Sequence, residues 1–391
     1  MTNTLDSIAP KILARGMISF REKAFMPRLM NMTYSAEAAQ KGDVVDIMLP
    51  GTITVEDVTP GTIPAAAPDK EVQTWSLKLD RWKKVAFSLT DKELMQIDAD
   101  QHFIPHCMQE AISALAEEVN KSFFEDTYLC HQIVGSPNRN LFSEENTDRL
   151  TDSYKSAPVI KGRQILNRNK APKSGRYVVL SYEDEARALR LSEIADAQRT
   201  SDAGVPMEGE IGRKYGMHWY STDQVITHEP VHKTYCKLTK DATKGATELN
   251  FTKLKGGGLK SGDIIVDGNN FILCSIEEIL ETPDDNTAKV KLAMPLDKDI
   301  SKDDHLFAGG THNNGVLFHR DAFAFANRPL AAASQDYSLG NRIISVTDPE
   351  SGLSLRLEIS RQYKQTVWEF DILWGIAMVQ RDLVVRLASK E

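Results

Sequence analysis

The most chemically suggestive spacing in this chain is His228-Glu229-Pro230-Val231-His232. The pattern H-E-x-x-H holds zinc when it lies on a helix, because one turn brings both imidazoles to the same face and leaves the glutamate as general base. Here Pro230 sits inside the motif. In a helix it would remove a donor and clash with the preceding turn, at a cost of about 3 kcal/mol. The flanking runs, Gln224–Thr227 and Lys233–Tyr235, read as strand. The expectation is therefore a proline turn entering a β region, with a metal-dependent hydrolase built on His228, Glu229 and His232 as the alternative.

Three other runs invite chemistry and fail on spacing. Gly256-Gly257-Gly258-Leu259-Lys260-Ser261 resembles a phosphate loop, but the Walker pattern needs glycine directly before the lysine, and Leu259 stands there. Glu277, Glu278, Glu281, Asp284 and Asp285 form one acidic group, and Asp297, Asp299, Asp303 and Asp304 another. Neither has the alternating ligands and turn glycine of an EF-hand loop, so both read as solvated acidic faces. There is no Gly-x-Ser-x-Gly elbow. No catalytic, cofactor-binding or metal-binding residue is assigned, and no cofactor is expected.

The totals narrow the class. A chain of 391 residues can bury a sizeable core in two or three domains. A net charge of −8 argues against a general nucleic-acid binder, which carries a basic face. No apolar run is long enough to span a bilayer, and Met1–Lys11 lacks the basic start and apolar core of a signal peptide. Cys107, Cys130, Cys236 and Cys274 are scattered with no C-x-x-C, which disfavours disulfides and cysteine zinc sites and makes a reducing cytoplasm the default.

The element that must organise the rest is Ile104–Ile133. Ile104, Met108, Ala111, Ile112, Leu115, Ala116, Val119, Phe123 and Phe124 recur at helical steps, predicting one amphipathic helix about 40 Å long. Before it, residues 1–35 predict an arm with one short helix around Pro10, Leu13, Met17 and Phe20, read either as a core helix or as a strap docking on a neighbouring chain. Residues 42–89 predict β structure with Thr59–Pro68 as the proline-rich tip of a long hairpin. Its second arm alternates Trp75, Leu77 and Leu79 with Thr74, Ser76, Lys78 and Asp80. Such a ribbon is marginal alone in water, so it implies a partner surface, unless it folds back as an edge hairpin. Thr90–Glu93 is a capping box.

Residues 150–225 predict a helix at Val159–Asn167, a strand at Tyr177–Leu180, a helix capped by Ser181 and Asp184, a loop over 195–210 and a strand at Met217–Tyr220. Over 226–315, short strands between glycines and Asp267-Gly268 turns predict a small inserted β-barrel. From Gly315, VLFHRDAFAFANRPL predicts strand then helix, ending at Pro329. Leu353–Ser360, Gln365–Leu373 and Ala377–Leu387 predict closing strands with a break at Trp374-Gly375.

GDVVDIMLPGTITVEDV followed by VAFSLTDKEL, then GVLFHRDAFAFANRPL and the closing VWEFDILWGIAMVQRDLVVRL, resembles the major capsid proteins of tailed bacteriophages. The resemblance implies an α+β, HK97-like capsid fold, of the coat-protein branch with an inserted domain typified by phage P22. It implies an N-terminal arm over 1–40, an extended loop over 41–88, and a peripheral domain with a spine helix over 89–149 and 346–391. It further implies an axial domain over 150–225 and 316–345 and an inserted β domain over 226–315. The implied function is structural, not enzymatic: hexamers and pentamers of one chain closing an icosahedral shell around double-stranded DNA without sequence-specific binding. Scaffolding and portal proteins would be its partners, the host cytoplasm its place of assembly, the virion its location and no membrane would be involved. An encapsulin-type compartment is the alternative on the same fold.

Overall fold

The computed structural model describes residues 5–33, 44–49, 73–92, 106–125, 127, 130, 132–142, 157–191, 194, 211–230, 235–255, 258–268, 272–284, 287–328, 342–348 and 352–391. The chain opens with helices α1 (Leu5–Lys23) and α2 (Met26–Leu29), then strands β1 (Val44–Leu49), β2 (Gln73–Lys78) and β3 (Arg81–Thr90). Helix α3 (His106–Glu125), β4 (Ile133–Gly135), α4 (Ala157–Arg168), β5 (Arg176–Leu180) and α5 (Tyr182–Leu189) follow. Next come β6 (Arg213–Lys214), β7 (Met217–Ser221), β8 (Thr227–His228), β9 (Tyr235–Leu238), β10 (Glu248–Lys255), β11 (Ile264–Asp267) and β12 (Ile272–Asp284). The chain ends through β13 (Thr287–Leu292), β14 (Leu306–Ala308), β15 (His312–His319), β16 (Phe323–Arg328), β17 (Arg342–Thr347), β18 (Ser354–Gln362), β19 (Gln365–Met378) and β20 (Val384–Lys390). The result is a strand-rich α+β protein in two compact units, one of residues 1–116 and 324–379, the other of 117–323 and 380–391.

In the first unit β19 is the central strand of a five-stranded sheet, with β3 antiparallel over Gln365↔Thr90 to Trp374↔Arg81 and β18 over Arg356↔Asp371 to Gln362↔Gln365. The alternation read in Leu353, Leu355, Leu357 and Ile359 is realised: all four are buried. β1 and β2 form a separate two-stranded ribbon. Helix α1 buries Leu13, Met17 and Phe20, and Met26 and Met30 are also buried, so this stretch is a core element of its own unit rather than a free strap. It is also longer than expected, 19 residues, with Pro10 inside it rather than in its first turn. Gly16 serves the packing: a Cβ there would lie 2.7 Å from Ile112 Cδ1 of α3.

The second unit contains a seven-stranded mixed sheet in the order β4-β20-β15-β5-β7-β6, with β8 also on β15. β9 to β14 close into a barrel in the order β10-β13-β12-β11-β14-β9, as the turn chemistry predicts. The barrel runs only from Tyr235 to Ala308, inside the expected 226–315, because β8 and β15 pair with each other in the large sheet. The barrel core is apolar, with Phe251, Ile265, Ile276, Val290 and Leu306 nearly inaccessible.

Helix α3 buries Met108, Ala111, Ile112, Leu115, Ala116, Val119, Phe123 and Phe124, the predicted stripe. It is 20 residues, about 30 Å, and does not reach Ile133. The Thr127 hydroxyl donates to the Phe124 carbonyl at 2.7 Å and Cys130 N–H to the Thr127 carbonyl, which turns the chain. The β-branched pair Ile133-Val134 then joins β20 in parallel.

Two further expectations are corrected. Ala322–Arg328 is not a helix: a 3-10 turn at Arg320–Ala322 leads into β16. Phe323 to Asn327 are all buried, and a strand covered on both faces has no period-2 signal to tell it from a buried helix. Asn327 fixes it there, donating to the Leu373 carbonyl at 3.0 Å and accepting from Ser354 N–H at 2.6 Å. Nor does Trp374-Gly375 break the strand: β19 is continuous over 14 residues, and the break falls at the 3-10 turn Arg381–Leu383.

Strand Tyr177–Leu180, helix Val159–Asn167 and the Ser181 cap lie where expected, the Ser181 hydroxyl accepting from Asp184 N–H at 3.3 Å. Replacing Ser181 with alanine should cost about 1 kcal/mol in urea unfolding. The hairpin tip, the 195–210 loop, Glu93 of the capping box and Pro329 lie outside the described residues.

Candidate functional site

His228 lies on β8, a strand paired to β15 at His312, so the geometry a zinc helix needs is absent at its first ligand. Its Nε2 bonds Asp263 Oδ1 at 2.7 Å. The His312 ring packs against it at 5.1 Å between centroids. Glu229 follows on non-helical backbone, and His232 lies outside the described residues. Among the described residues, no three His, Cys, Asp or Glu side chains converge as metal ligands.

The motif residue instead belongs to a buried polar cluster at the root of the barrel. Arg386 of β20 is completely buried. Its Nε donates to Asn314 Oδ1 at 2.6 Å, and its Nη2 donates to the Gly262 carbonyl at 3.2 Å and to His312 Nε2 at 2.8 Å. His312 Nδ1 in turn donates to the Gly310 carbonyl at 2.8 Å, and Asp263 Oδ2 accepts from Lys260 N–H at 2.7 Å. The cluster thus joins β8, β15 and β20 of the sheet to the turn before β11 of the barrel. No local motif announces it, since its members are spread from residue 228 to 386.

Burial, reinforced by the Arg386 charge, lowers the His312 pKa from 6.5 to about 3. The folded state therefore holds His312 neutral, with Nε2 as an acceptor. Below pH 6.5 the unfolded chain takes a proton that the folded chain refuses, so stability is full above that pH and falls until about pH 3. The loss is about 1.4 kcal/mol for each unit crossed. His312→Asn should flatten this limb of a pH–stability profile measured by urea unfolding. Burial also lowers Arg386, to about 10, partly offset by Cys130 and Asp263; it stays charged at neutral pH.

The other sequence candidates resolve into structure. Gly258–Ser261 is loop leading to β11, with no helix after it, and Gly256 and Gly257 lie outside the described residues. Glu277 is not simply a solvated acid: it pairs with Lys291 at 3.0 Å and Arg381 at 3.1 Å. Asp299 accepts from Lys244 N–H at 2.6 Å and Asp304 from Ser301 N–H at 2.9 Å, so these carboxylates brace loops. Cys130, Cys236 and Cys274 are buried and form no disulfide among the described residues, and burial pushes the Cys236 thiol up to about 12. An open groove of ≈ 140 Å³ between α1 and β17 holds the Arg21–Asp348 pair at 3.5 Å, and its one hydroxyl, Thr347, is bonded to Ser354 at 3.1 Å.

The surface that stands out is the ribbon. Val45, Ile47, Leu77 and Leu79 are buried against Ala324, Ala326, Leu373 and Val379. Along β2 the same face then loses its support: Leu77 is 0% exposed but Trp75, paired with Ile47, is 38% exposed. On the opposite face Met48 is 71% and Val44 45% exposed. Over its described residues the ribbon is therefore anchored through Val45, Ile47, Leu77 and Leu79 and leaves Trp75, Met48 and Val44 exposed.

The described residues define a strand-rich α+β protein with a closed barrel inserted between two strands of one sheet, and no catalytic centre is assembled among them. No protein-family model matches the chain, and no curated protein does. Among solved structures, one described as Mycobacterium phage Che8 is similar at 16% identity, covering 92% of this chain and 89% of that one with a TM-score of 0.48. The capsid of the cyanophage P-SCSP1u is similar at 10% identity, 90% and 85% coverage and a TM-score of 0.47. A virus-like particle from Pyrococcus furiosus is similar at 8% identity, 97% and 98% coverage and a TM-score of 0.42.

Proposed function

We propose that this chain is a structural, non-catalytic shell subunit: the major capsid protein of a tailed phage, on an HK97-like fold, enclosing double-stranded DNA. The observation that carries this is the ribbon. A two-stranded sheet with Trp75 and Met48 exposed toward its Leu49–Gln73 end, and Val44 exposed on the outward face, is unstable in isolation and gains by lying on a sister copy. A closed shell repeats one such heterologous contact around its rings. Residues 41–88 are then the extended loop, 89–149 with 346–391 the peripheral domain, 150–225 with 316–345 the axial domain, and 1–40 an arm whose helix packs on its own unit. The closed barrel of Tyr235–Ala308, proposed as the body of the inserted domain, supports the P22-like branch. Scaffolding and portal proteins are the proposed partners, and assembly is proposed to occur in the host cytoplasm before the protein becomes part of the virion.

Met48→Lys tests this. Met48 is outward and exposed, so the subunit should fold with a stability change within about 0.5 kcal/mol. Particle yield by electron microscopy should fall at least tenfold. Unchanged particle yield would remove the ribbon from the assembly contact.

A further inference from the structure

The chain is acidic overall, yet its charge is unevenly placed: no Asp or Glu stands between Asp152 and Glu183. Helix α4, the loop after it and β5 lie in that interval. Val159, Gly162 and Leu166 are buried, and a Cβ at Gly162 would lie 3.1 Å from Leu317 Cδ1 and 3.6 Å from Val385 Cγ1, so this side faces the sheet. The outer side exposes Ile160, Lys161, Gln164, Asn167 and Arg168, continued by Lys170 and Lys173. Arg163 lies half-buried beside it, its Nη2 3.8 Å from the Cβ position of Gly216, so the β6–β7 turn with Arg213 extends the strip.

Among the described residues, Lys161, Arg163, Arg168, Lys170 and Lys173 make no ion pair. Elsewhere cations are matched, as in Lys289–Glu248 and Arg356–Asp371. A second observation is backbone strain. Lys170 has φ 59°, the left-handed position after a helix where glycine is favoured. Holding a lysine there costs about 1 kcal/mol, and the structure keeps it. The loop is also fixed, because Arg176 donates to the Pro172 and Ala171 carbonyls at 2.7 Å each and to Asn167 Oδ1 at 2.8 Å.

We infer that the outer face of α4 and its following loop bind the phosphate backbone of double-stranded DNA without reading sequence. The choice of DNA as the polyanion rests on the shell reading above. The strip itself favours a phosphate backbone over an acidic protein: its only exposed large apolar side chain is Ile160, at 38%, whereas protein interfaces are anchored by buried aromatic and arginine contacts. Each cation that meets a phosphate displaces a counterion, so five contacts give a log–log salt slope of about −4.5.

The test uses the full chain and a random-sequence 30-base-pair duplex followed by fluorescence anisotropy across salt concentrations. Wild-type affinity should fall by a factor on the order of a few hundred between 50 and 200 mM salt. The variant Lys161→Gln, Arg168→Gln, Lys170→Gln, Lys173→Gln should lose at least tenfold in affinity at 50 mM and flatten the slope by about 0.9 per cation removed. Removing four exposed lysines elsewhere, Lys83, Lys92, Lys240 and Lys302, should change affinity less than about threefold. A wild-type slope shallower than about −2, equal losses in the two variants, or tighter binding of a polyglutamate peptide than of DNA would overturn the inference. Electron microscopy of the same samples separates the two claims. Shells with no strip-dependent binding sink the strip alone, and strip-dependent binding with no shells sinks the capsid reading alone.

Discussion

Arg386→Met is expected to destabilise the protein by about 3–5 kcal/mol, one of the two largest single-site losses in the chain. The substitution is close in volume, so the loss comes from polarity rather than from a cavity. It strips the donor from Asn314 Oδ1, the Gly262 carbonyl and His312 Nε2, all inside the fold. Each buried acceptor left without a partner costs about 1–3 kcal/mol. Urea unfolding of the variant gives the number. The pH profile then separates this cause from general damage. Without the Arg386 charge, His312 is freer to take a proton, so its acid-labile window narrows. The double variant with His312→Asn should show non-additivity of about 1 kcal/mol or more, since the two groups touch. Additive losses would mean that the cluster is not a coupled unit.

Gly375→Val is expected to cost about 3 kcal/mol for a different reason. A Cβ at this position would lie 2.0 Å from the Lys78 carbonyl oxygen and 2.8 Å from its carbon. Both are backbone atoms at the end of β2, so neither can swing aside. The strand or the ribbon must move, and Leu77 and Leu79 lose their seat on Leu373. Proteolysis at the ribbon base should accelerate together with the fall in stability. Gly268→Ala, where nothing lies within 4 Å of the added carbon, is the comparison and should stay within about 0.5 kcal/mol.

These two residues mark where the sequence is legible and where it is not. The α3 stripe and the Leu353–Ile359 alternation could be read because one buried and one exposed face leave a period in the chain. The barrel could be read from its turns, whose Asp-Gly and glycine chemistry is local. Gly375 reads as a break because glycine weakens a strand, and nothing local tells that Lys78 approaches from nearly three hundred residues upstream. β16 reads as a helix in the sequence because Phe and Ala buried on both faces leave no period. The His228 motif looked catalytic, yet its partners, Asp263 on a turn and His312 on a facing strand, are supplied by the fold. The basic strip of α4 was masked by arithmetic, since a net charge sums over surfaces that never meet.

The shell reading rests on the ribbon, which over its described residues leaves Trp75, Met48 and Val44 exposed. Electron microscopy and sedimentation of the purified full-length protein test that most directly. The prediction is closed, uniform shells built from many copies, lost in Met48→Lys. A single species of one-chain mass at every protein and salt concentration would contradict it.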